Sequence, residues 1–285
     1  RRRAGWCTLD EVTSEERTRA GAVEVARRLR GEGYEAWFAG GCVRDLLLGG
    51  TPKDWDIATD ARPEAVQALF PKTVAVGAAF GVVQVLMGRG RAYEVATFRA
   101  DGSYLDGRRP ASVAYSSSRE ADVERRDFTI NALLMDPESA EVLDYVGGRA
   151  DLRAGVIRAV GDPARRFEED RLRMLRAVRF AARLGFTIEP ETSAALTTRA
   201  GRLEAVSPER ITQELEGLLL GPRPGRGLRL LERSGLAEAC LPEARPAHLA
   251  EACDRLPEAT RELDAEARAA VAWALVHAAY AAPEV

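Results

Sequence analysis

Two lysines, Lys53 and Lys72, are all that this chain of 285 residues contains, so nearly every cation is an arginine. GC-rich codon usage accounts for that bias more simply than a demand for phosphate-gripping guanidinium groups throughout. An excess of positive charge is lacking as well. The formal net charge is −3, so no global basic field advertises nucleic acid, and any such surface has to be local. Cysteine is sparse: Cys7, Cys42, Cys240 and Cys253 form no CxxC pair and have no nearby histidine partner. They read as reduced, mostly buried thiols, which suits a cytoplasmic protein. No apolar run approaches the ~20 residues of a membrane span, and the arginine-rich start lacks an apolar segment behind it. Repeats and low-complexity linkers are missing too. No membrane partner is expected.

What remains is an ordinary globular composition, 46% hydrophobic and 30% charged, long enough for two or three compact units. The spacing predicts an amphipathic helix over residues 13–30, with Val23, Ala26 and Leu29 on one side and Gly31 and Gly33 ending it. Strands are expected at 34–39, 55–59, 74–76, 81–87 and 91–99, with helices at 43–48 and from 61 to 70. Alternation in the fifth strand puts Tyr93, Val95 and Thr97 on one face and Glu94, Ala96 and Phe98 on the other. These pieces predict a mixed sheet with helices on one face, an α/β head ending near Asp136. Beyond it the strand signal fades after 142–145 and 156–159. From Pro163 the chain reads as helical with short breaks: 163–184 as one helix, then 192–200, 207–220, 225–234, 248–255 and 260–280. The boundaries are a head over 1–136, a connecting segment over 137–206 and a helical body over 207–285.

The stretch over residues 40–56, GGCVRDLLLGGTPKDWD, concentrates the first chemical signal. Asp54 and Asp56 at i and i+2 on a strand share a face, while Trp55 and Ile57 point into a core. Adjacent carboxylates repel unless a cation neutralises them, and hard oxygen donors in that arrangement suit Mg²⁺. Glu94, on a strand that could lie beside them, is the candidate third acid; an outward-facing strand glutamate is the plain alternative. Upstream, Gly40 and Gly41 lead into a helix whose free N–H groups can face an anion. Arg44, one turn on, can fork onto a phosphate. A tight turn with a surface arginine is the alternative there.

Two further clusters carry polar chemistry. Arg125, Arg126, Asp127, Thr129 and Asn131 precede the apolar run Ala132-Leu133-Leu134, reading as polarity entering a buried helix. Phosphate or ribose contacts suit the arginines, and a ribose or network role suits Asp127. On the 163–184 helix, Met174, Leu175, Val178, Ala181 and Ala182 make a buried stripe. Asp170 and Arg173 at i and i+3 then project together on another face. An intrahelical salt bridge is the bland reading. The pair also matches the Watson–Crick edges of cytosine and adenine, each an amino donor beside a ring-nitrogen acceptor. Arg176, Arg179 and Arg183 extend a basic strip suited to phosphate or RNA, or a solvated face. His277 reads as a packed helix histidine.

Taken in order, these motifs resemble those of the bacterial tRNA nucleotidyltransferase (CCA-adding enzyme) and poly(A) polymerase family. Gly40-Gly41-Cys42-Val43-Arg44-Asp45 with Asp54-Trp55-Asp56 is similar to the first family motif, and Arg125 through Ala132 to the second. RFEEDRLRMLRAVRFAARLGF, from Arg166 to Phe186, resembles the base-reading motif. Ser207-Pro208-Glu209-Arg210-Ile211 resembles the motif that braces it, with Arg210 as the brace. The resemblance covers most of residues 20–220. It implies a polymerase-beta-like head holding two Mg²⁺ on Asp54 and Asp56, an all-helical neck and body, and Asp170 and Arg173 pairing with incoming CTP or ATP. Gly41, Arg44, Arg126, Asp127, Asn131, Arg176 and Arg179 would contact nucleotide, and a tRNA acceptor end would lie along the helical part. Tyr104, Asp106, Arg108 and Arg109 match the flexible loop that family members use for adding the terminal A. Family members continue past the body, so either a tail is missing from this chain or the protein is a compact form. The activity implied is addition of C and A, or A alone, to tRNA 3′ ends. Poly(A) polymerase action on other RNA, or a non-catalytic RNA- or nucleotide-binding module on the same fold, is the alternative.

Overall fold

Helix α1 (Ser14–Gly31) buries Ala22, Val25, Ala26 and Leu29, which recur at the i, i+3, i+4, i+7 positions of one helical face. Its last turn carries Arg28 and Arg30, the charge sign that suits a helix C-terminus. It packs on a sheet in a computed structural model of the chain, which describes residues 14–75, 81–100, 114–241 and 246–281. Among these residues the chain divides into two compact units. One comprises the chain up to 100 with 114–125 and 131–145; the other comprises 126–130 and everything from 146 onward.

The first unit runs through β1 (Ala36–Ala39), α2 (Gly41–Leu47), β2 (Asp56–Thr59), α3 (Pro63–Leu69), β3 (Thr73–Val74), β4 (Val82–Met87), β5 (Arg91–Thr97), α4 (Arg119–Glu124), β6 (Leu134–Met135) and β7 (Val142–Leu143). The seven strands form one mixed sheet in the order β3-β4-β5-β2-β1-β6-β7. Among them β2 and β5 pair in parallel and the other neighbours antiparallel. A parallel pair needs a crossover, and the segment through α3, β3 and β4 supplies it. Phe38, Ile57, Val83, Val85, Tyr93 and Val95 form one core with α1 and α3, leaving their alternating neighbours on the opposite face. That alternation positions the acids.

One local expectation fails here. The run Ala132-Leu133-Leu134 does not enter a helix: a single 3₁₀ turn (Thr129–Asn131) leads into β6, which pairs with β1. A short run buried on both sides looks alike in a central strand and in a helix, and only strand partners decide. The sheet also continues beyond Asp136, because β7 hydrogen-bonds to β6.

The second unit contains α5 (Gly148–Ala154), β8 (Val156–Ile157), α6 (Pro163–Glu169), α7 (Arg173–Leu184), β9 (Thr187–Ile188), α8 (Pro190–Arg199), α9 (Pro208–Leu219), α10 (Pro224–Arg233), α11 (Leu236–Cys240), α12 (Pro246–Asp254), α13 (Leu256–Ala259) and α14 (Ala265–Ala281). The small parallel pair β8–β9 interrupts the helices. Its core gathers the α7 stripe Met174, Leu175, Val178 and Ala181 with Phe128, Phe167, Leu215, Leu218, Leu228 and Leu231. Asp162 caps α6 by accepting from Arg165 N at 2.8 Å, with Pro163 at the first helical position.

The expected single helix over 163–184 is broken. Asp170 takes extended backbone angles, φ −147° and ψ 104°, and its Oδ1 accepts from Leu172 N at 3.1 Å. A short carboxylate bonding its own backbone two residues on competes with helix propagation. Asp170 and Arg173 therefore flank a turn and do not share a helical face.

Candidate active site

In the first unit the site grows from strand register. Asp56 on β2 is the direct partner of Glu94 on β5, and Glu94 is the direct partner of Gln84 on β4. Side chains directly opposite on adjacent strands lie on one face with Cβ atoms ~5 Å apart. The row Asp56–Glu94–Gln84 thus crosses three strands on the face away from the core. Asp54 lies in the bend before β2, so the period-two argument that paired it with Asp56 does not hold. The bend delivers it to the same place all the same. Asp54, Asp56, Gln84 and Glu94 line one cavity of about 340 Å³, with Trp55 and Ala92. Trp55 and Ile57 point into the core as expected, and the Trp55 ring packs at 4.7 Å from that of Phe38.

Three carboxylates with no cation among the lining residues make a hard-oxygen donor set of the kind Mg²⁺ takes. Among the described residues no three acidic, histidine or cysteine side chains are drawn together tightly enough to enclose an ion. The fit is therefore to an ion that keeps several of its waters, as Mg²⁺ does when one or two carboxylates bind it.

Behind the acids, Gly40 turns β1 into α2 with φ 73° and ψ −128°, a conformation that side-chain-bearing residues rarely adopt. Cys42 on α2 donates its thiol to Ala39 O at 3.2 Å; burial pushes that thiol up to about 11, so it is neutral at physiological pH. Arg44 is not the surface arginine of the plain alternative. It is buried, with Nε donating to Asp45 Oδ1 at 2.8 Å and Nη1 to Asn131 Oδ1 at 2.7 Å. Arg44 and Asn131 brace α2 against the turn before β6. Arg125 pairs with Asp122 of α4 at 2.9 Å.

The second unit holds the other predicted cluster. Arg210 of α9 donates from Nη2 to both oxygens of Asp170, at 3.1 and 2.9 Å. Arg173 is buried. Its Nη1 donates to Glu169 Oε2 at 2.9 Å and to Arg166 O at 3.1 Å. Glu169 also receives Arg165 Nε at 3.0 Å and Arg166 Nη1 at 2.9 Å, a buried carboxylate answered by three guanidinium groups. Arg126 is half-buried at the start of the 126–130 segment. Asp127 takes the network role: its Oδ2 accepts from Arg176 Nε at 2.9 Å and Nη2 at 2.7 Å, and its Oδ1 caps Phe128 N at 2.8 Å. Arg179 Nε donates to Glu214 Oε2 at 2.6 Å, and Arg176 Nη1 approaches Oε1 of that carboxylate at 3.6 Å. Both guanidinium groups lie over the Phe180 ring. Gly217 is what lets Arg179 cross α9, since a Cβ there would meet Arg179 Cδ at 2.9 Å.

Sequence reasoning passed over Gln84, Glu169 and Glu214. Glu214 had a legible signal, a charge beside Leu215 in an otherwise apolar stripe. Tyr104, Asp106, Arg108 and Arg109 lie outside the described residues, as does the His277 side chain.

Residues 36–158 match the family model described as the poly A polymerase head domain. Residues 185–247 match the model described as a probable RNA and SrmB-binding site of polymerase A. The CCA-adding enzyme of Geobacillus stearothermophilus is 50% identical over 215 residues, 75% of this chain and 53% of that protein. That of Levilactobacillus brevis is 49% identical over 216 residues, 76% of this chain and 54% of that protein. The crystal structure of the Bacillus stearothermophilus CCA-adding enzyme in complex with CTP superposes with a TM-score of 0.76 at 37% identity, covering 95% of this chain and 68% of the other. The Thermotoga maritima CCA-adding enzyme complexed with tRNA gives a TM-score of 0.67 at 27% identity, covering 83% and 55%. The chain spans about half the length of the curated relatives it matches.

Proposed function

The chain belongs to the family of CCA-adding enzymes and poly(A) polymerases, nucleotidyltransferases by chemistry, and on that premise we propose that it adds C and A, or A alone, to tRNA 3′ ends from CTP and ATP. The RNA 3′-hydroxyl attacks the α-phosphate and pyrophosphate leaves. One observation carries the reading: strand register sets Asp56 beside Glu94 in the cavity that Asp54 also lines. Asp54 and Asp56 would hold two Mg²⁺, with Glu94 the third acid. When bound, the ions supply charge neutralisation for the triphosphate and a lowered pKa for the attacking hydroxyl. The chain's own contribution is to keep three carboxylates preorganised on a rigid sheet, so that no reorganisation is needed when charge develops.

Selection of the base falls to Asp170 and Arg173. A carboxylate offers about four lone-pair sites, and Asp170 uses three for Arg210 and Leu172 N, so one acceptor site remains for an amino donor. Gly41, Arg44, Arg126 and Asn131 remain proposed nucleotide contacts; Arg44 and Asn131, hydrogen-bonded to each other at 2.7 Å, also support each other. Arg176, Arg179 and Asp127 act by fixing α7. The cytoplasm is the proposed compartment; no described helix is long and apolar enough to cross a membrane.

Incubation with tRNA transcripts ending before CCA, in CC, or in unrelated sequence, with each NTP singly, tests the reading. Limited addition of C and A to the tRNA ends is expected. UTP incorporation or tailing without limit would exclude it, the latter in favour of poly(A) synthesis. Unaltered function after Asp54→Ala would instead favour a non-catalytic binding module.

A further inference from the structure

The row Asp56–Glu94–Gln84 continues one strand further. Val74 on β3 is the direct partner of Gln84, so four side chains stand opposite one another across β2, β5, β4 and β3. Gln84 marks the change of chemistry along that row. Acids lie to one side of it, and to the other lies Val74, an apolar side chain left 44% exposed. Gln84 is the carboxamide among the residues lining the acidic cavity of about 340 Å³. Among the described residues nothing hydrogen-bonds to that amide. Ala92, two residues before Glu94 on the same face, offers only a methyl group, so β5 leaves the space beside the amide open.

Beside three carboxylates a neutral amide adds little to the binding of a hard cation. What it can do, and an ionised acid cannot, is donate and accept at once. A sugar hydroxyl has the same two capacities. Two sugars take part in the proposed reaction, that of the incoming nucleotide and that of the RNA end. The triphosphate brings several oxygens of its own to an ion, whereas the RNA end brings one hydroxyl, so the third acid serves the hydroxyl side. Gln84 stands beyond that acid, two strand spacings or roughly 10 Å from the Asp56 backbone. We infer that the Gln84 carboxamide binds the 2′-hydroxyl of the RNA's 3′-terminal ribose, so that the neighbouring 3′-hydroxyl is turned towards the acids and an RNA end is favoured over a DNA end. The inference rests on the proposed function, which brings that sugar to the cavity. The 2′-hydroxyl is the group by which a protein separates RNA from DNA at a given site. Val74, beside the amide, gives the carbon face of the sugar an apolar surface to rest on.

The test is the affinity of wild type and of Gln84→Met for two tRNAs lacking the last residue, one ending in a ribose and one in a 2′-deoxyribose. Methionine keeps the length of the side chain and removes the amide. Wild type should bind the ribose end more tightly, and Gln84→Met should lose roughly two- to tenfold of that preference, the worth of one neutral hydrogen bond. Gln84→Val, a residue suited to a strand, should lose the same if methionine disturbs the sheet. Single-nucleotide addition to the two ends should shift by the same factor, while affinity for CTP relative to 2′-deoxy-CTP stays as in wild type. A ribose preference equal in wild type and both variants would overturn the inference, as would a wild type with no preference. A loss confined to CTP over 2′-deoxy-CTP would overturn it in favour of the incoming nucleotide's sugar. A raised Mg²⁺ requirement with the RNA-end preference intact would overturn it in favour of a residue that only holds Glu94. A wild-type chain that shows the Gln84-dependent preference in binding but adds no nucleotide would sink the proposed function and leave this contact standing.

Discussion

Arg210, on α9, holds both carboxylate oxygens of Asp170, a residue 40 positions earlier that sits in the break between α6 and α7. Together with the bond from Leu172 N, the contact fixes the rotamer of a side chain whose backbone is not helical.

Arg210→Ala should therefore change selectivity before it changes chemistry. Loss of a hydrogen bond to a charged group is worth ~1.5–3 kcal/mol. The preference for CTP and ATP over UTP and GTP, measured by single-nucleotide incorporation, is expected to fall roughly tenfold or more by that conversion. Asp170→Ala should do the same more strongly. Unchanged selectivity in both variants would remove Asp170 from base recognition.

At the acidic cavity, Asp56→Asn should abolish transfer while leaving CTP binding and thermal unfolding close to wild type, because Asp56 contributes charge and not core packing. Glu94→Gln should be milder and should raise the Mg²⁺ concentration needed for half-maximal rate. An unaltered Mg²⁺ response would assign Glu94 to the strand surface alone.

Glu214 is a stability prediction. It is 9% exposed and answers Arg179 at 2.6 Å. Removing one partner of a buried ion pair strands the other charge, at a cost of about 3 kcal/mol. Glu214→Ala should lower the denaturant midpoint accordingly, and Glu214→Gln by less.

Acid stability follows from Asp136. Burial works against its charge, but Arg30 Nη2 at 2.7 Å and the Ser139 and Glu138 N–H groups at 2.8 Å outweigh burial and hold the carboxyl down at about 2, from 3.8. A folded value below the unfolded one stabilises the protein at higher pH. The contribution is complete above the unfolded value and is lost as pH falls from about 4 towards 2. The amount is on the order of 2 kcal/mol. Asp136→Asn should flatten the stability curve in that window; an unchanged curve would place the acid sensitivity elsewhere.

The chemistry was legible in the residues themselves. Asp54, Asp56 and Glu94 stand out as acids near apolar strand residues, and the α7 stripe announces its core by spacing. For the α7 stripe local periodicity suffices, because neighbours within one helix determine which side chains share a face. The pairing of β2 with β5, which sets Glu94 against Asp56, joins residues 38 apart in the chain (94 − 56). No local pattern encodes that register. Nor could periodicity reveal that Asp170 stops its helix, since an unbroken α-helix satisfies the same apolar spacing. Arg44, Arg176 and Arg179 looked free for a ligand from their charge; folding gave them Asn131, Asp127 and Glu214, carboxyl and amide partners 87, 49 and 35 residues away. The sequence by itself determined which groups this protein has for nucleotide chemistry. Only the tertiary structure decided which are spent on one another and which line the cavity, because a buried charge must find its partner wherever the fold brings one within reach.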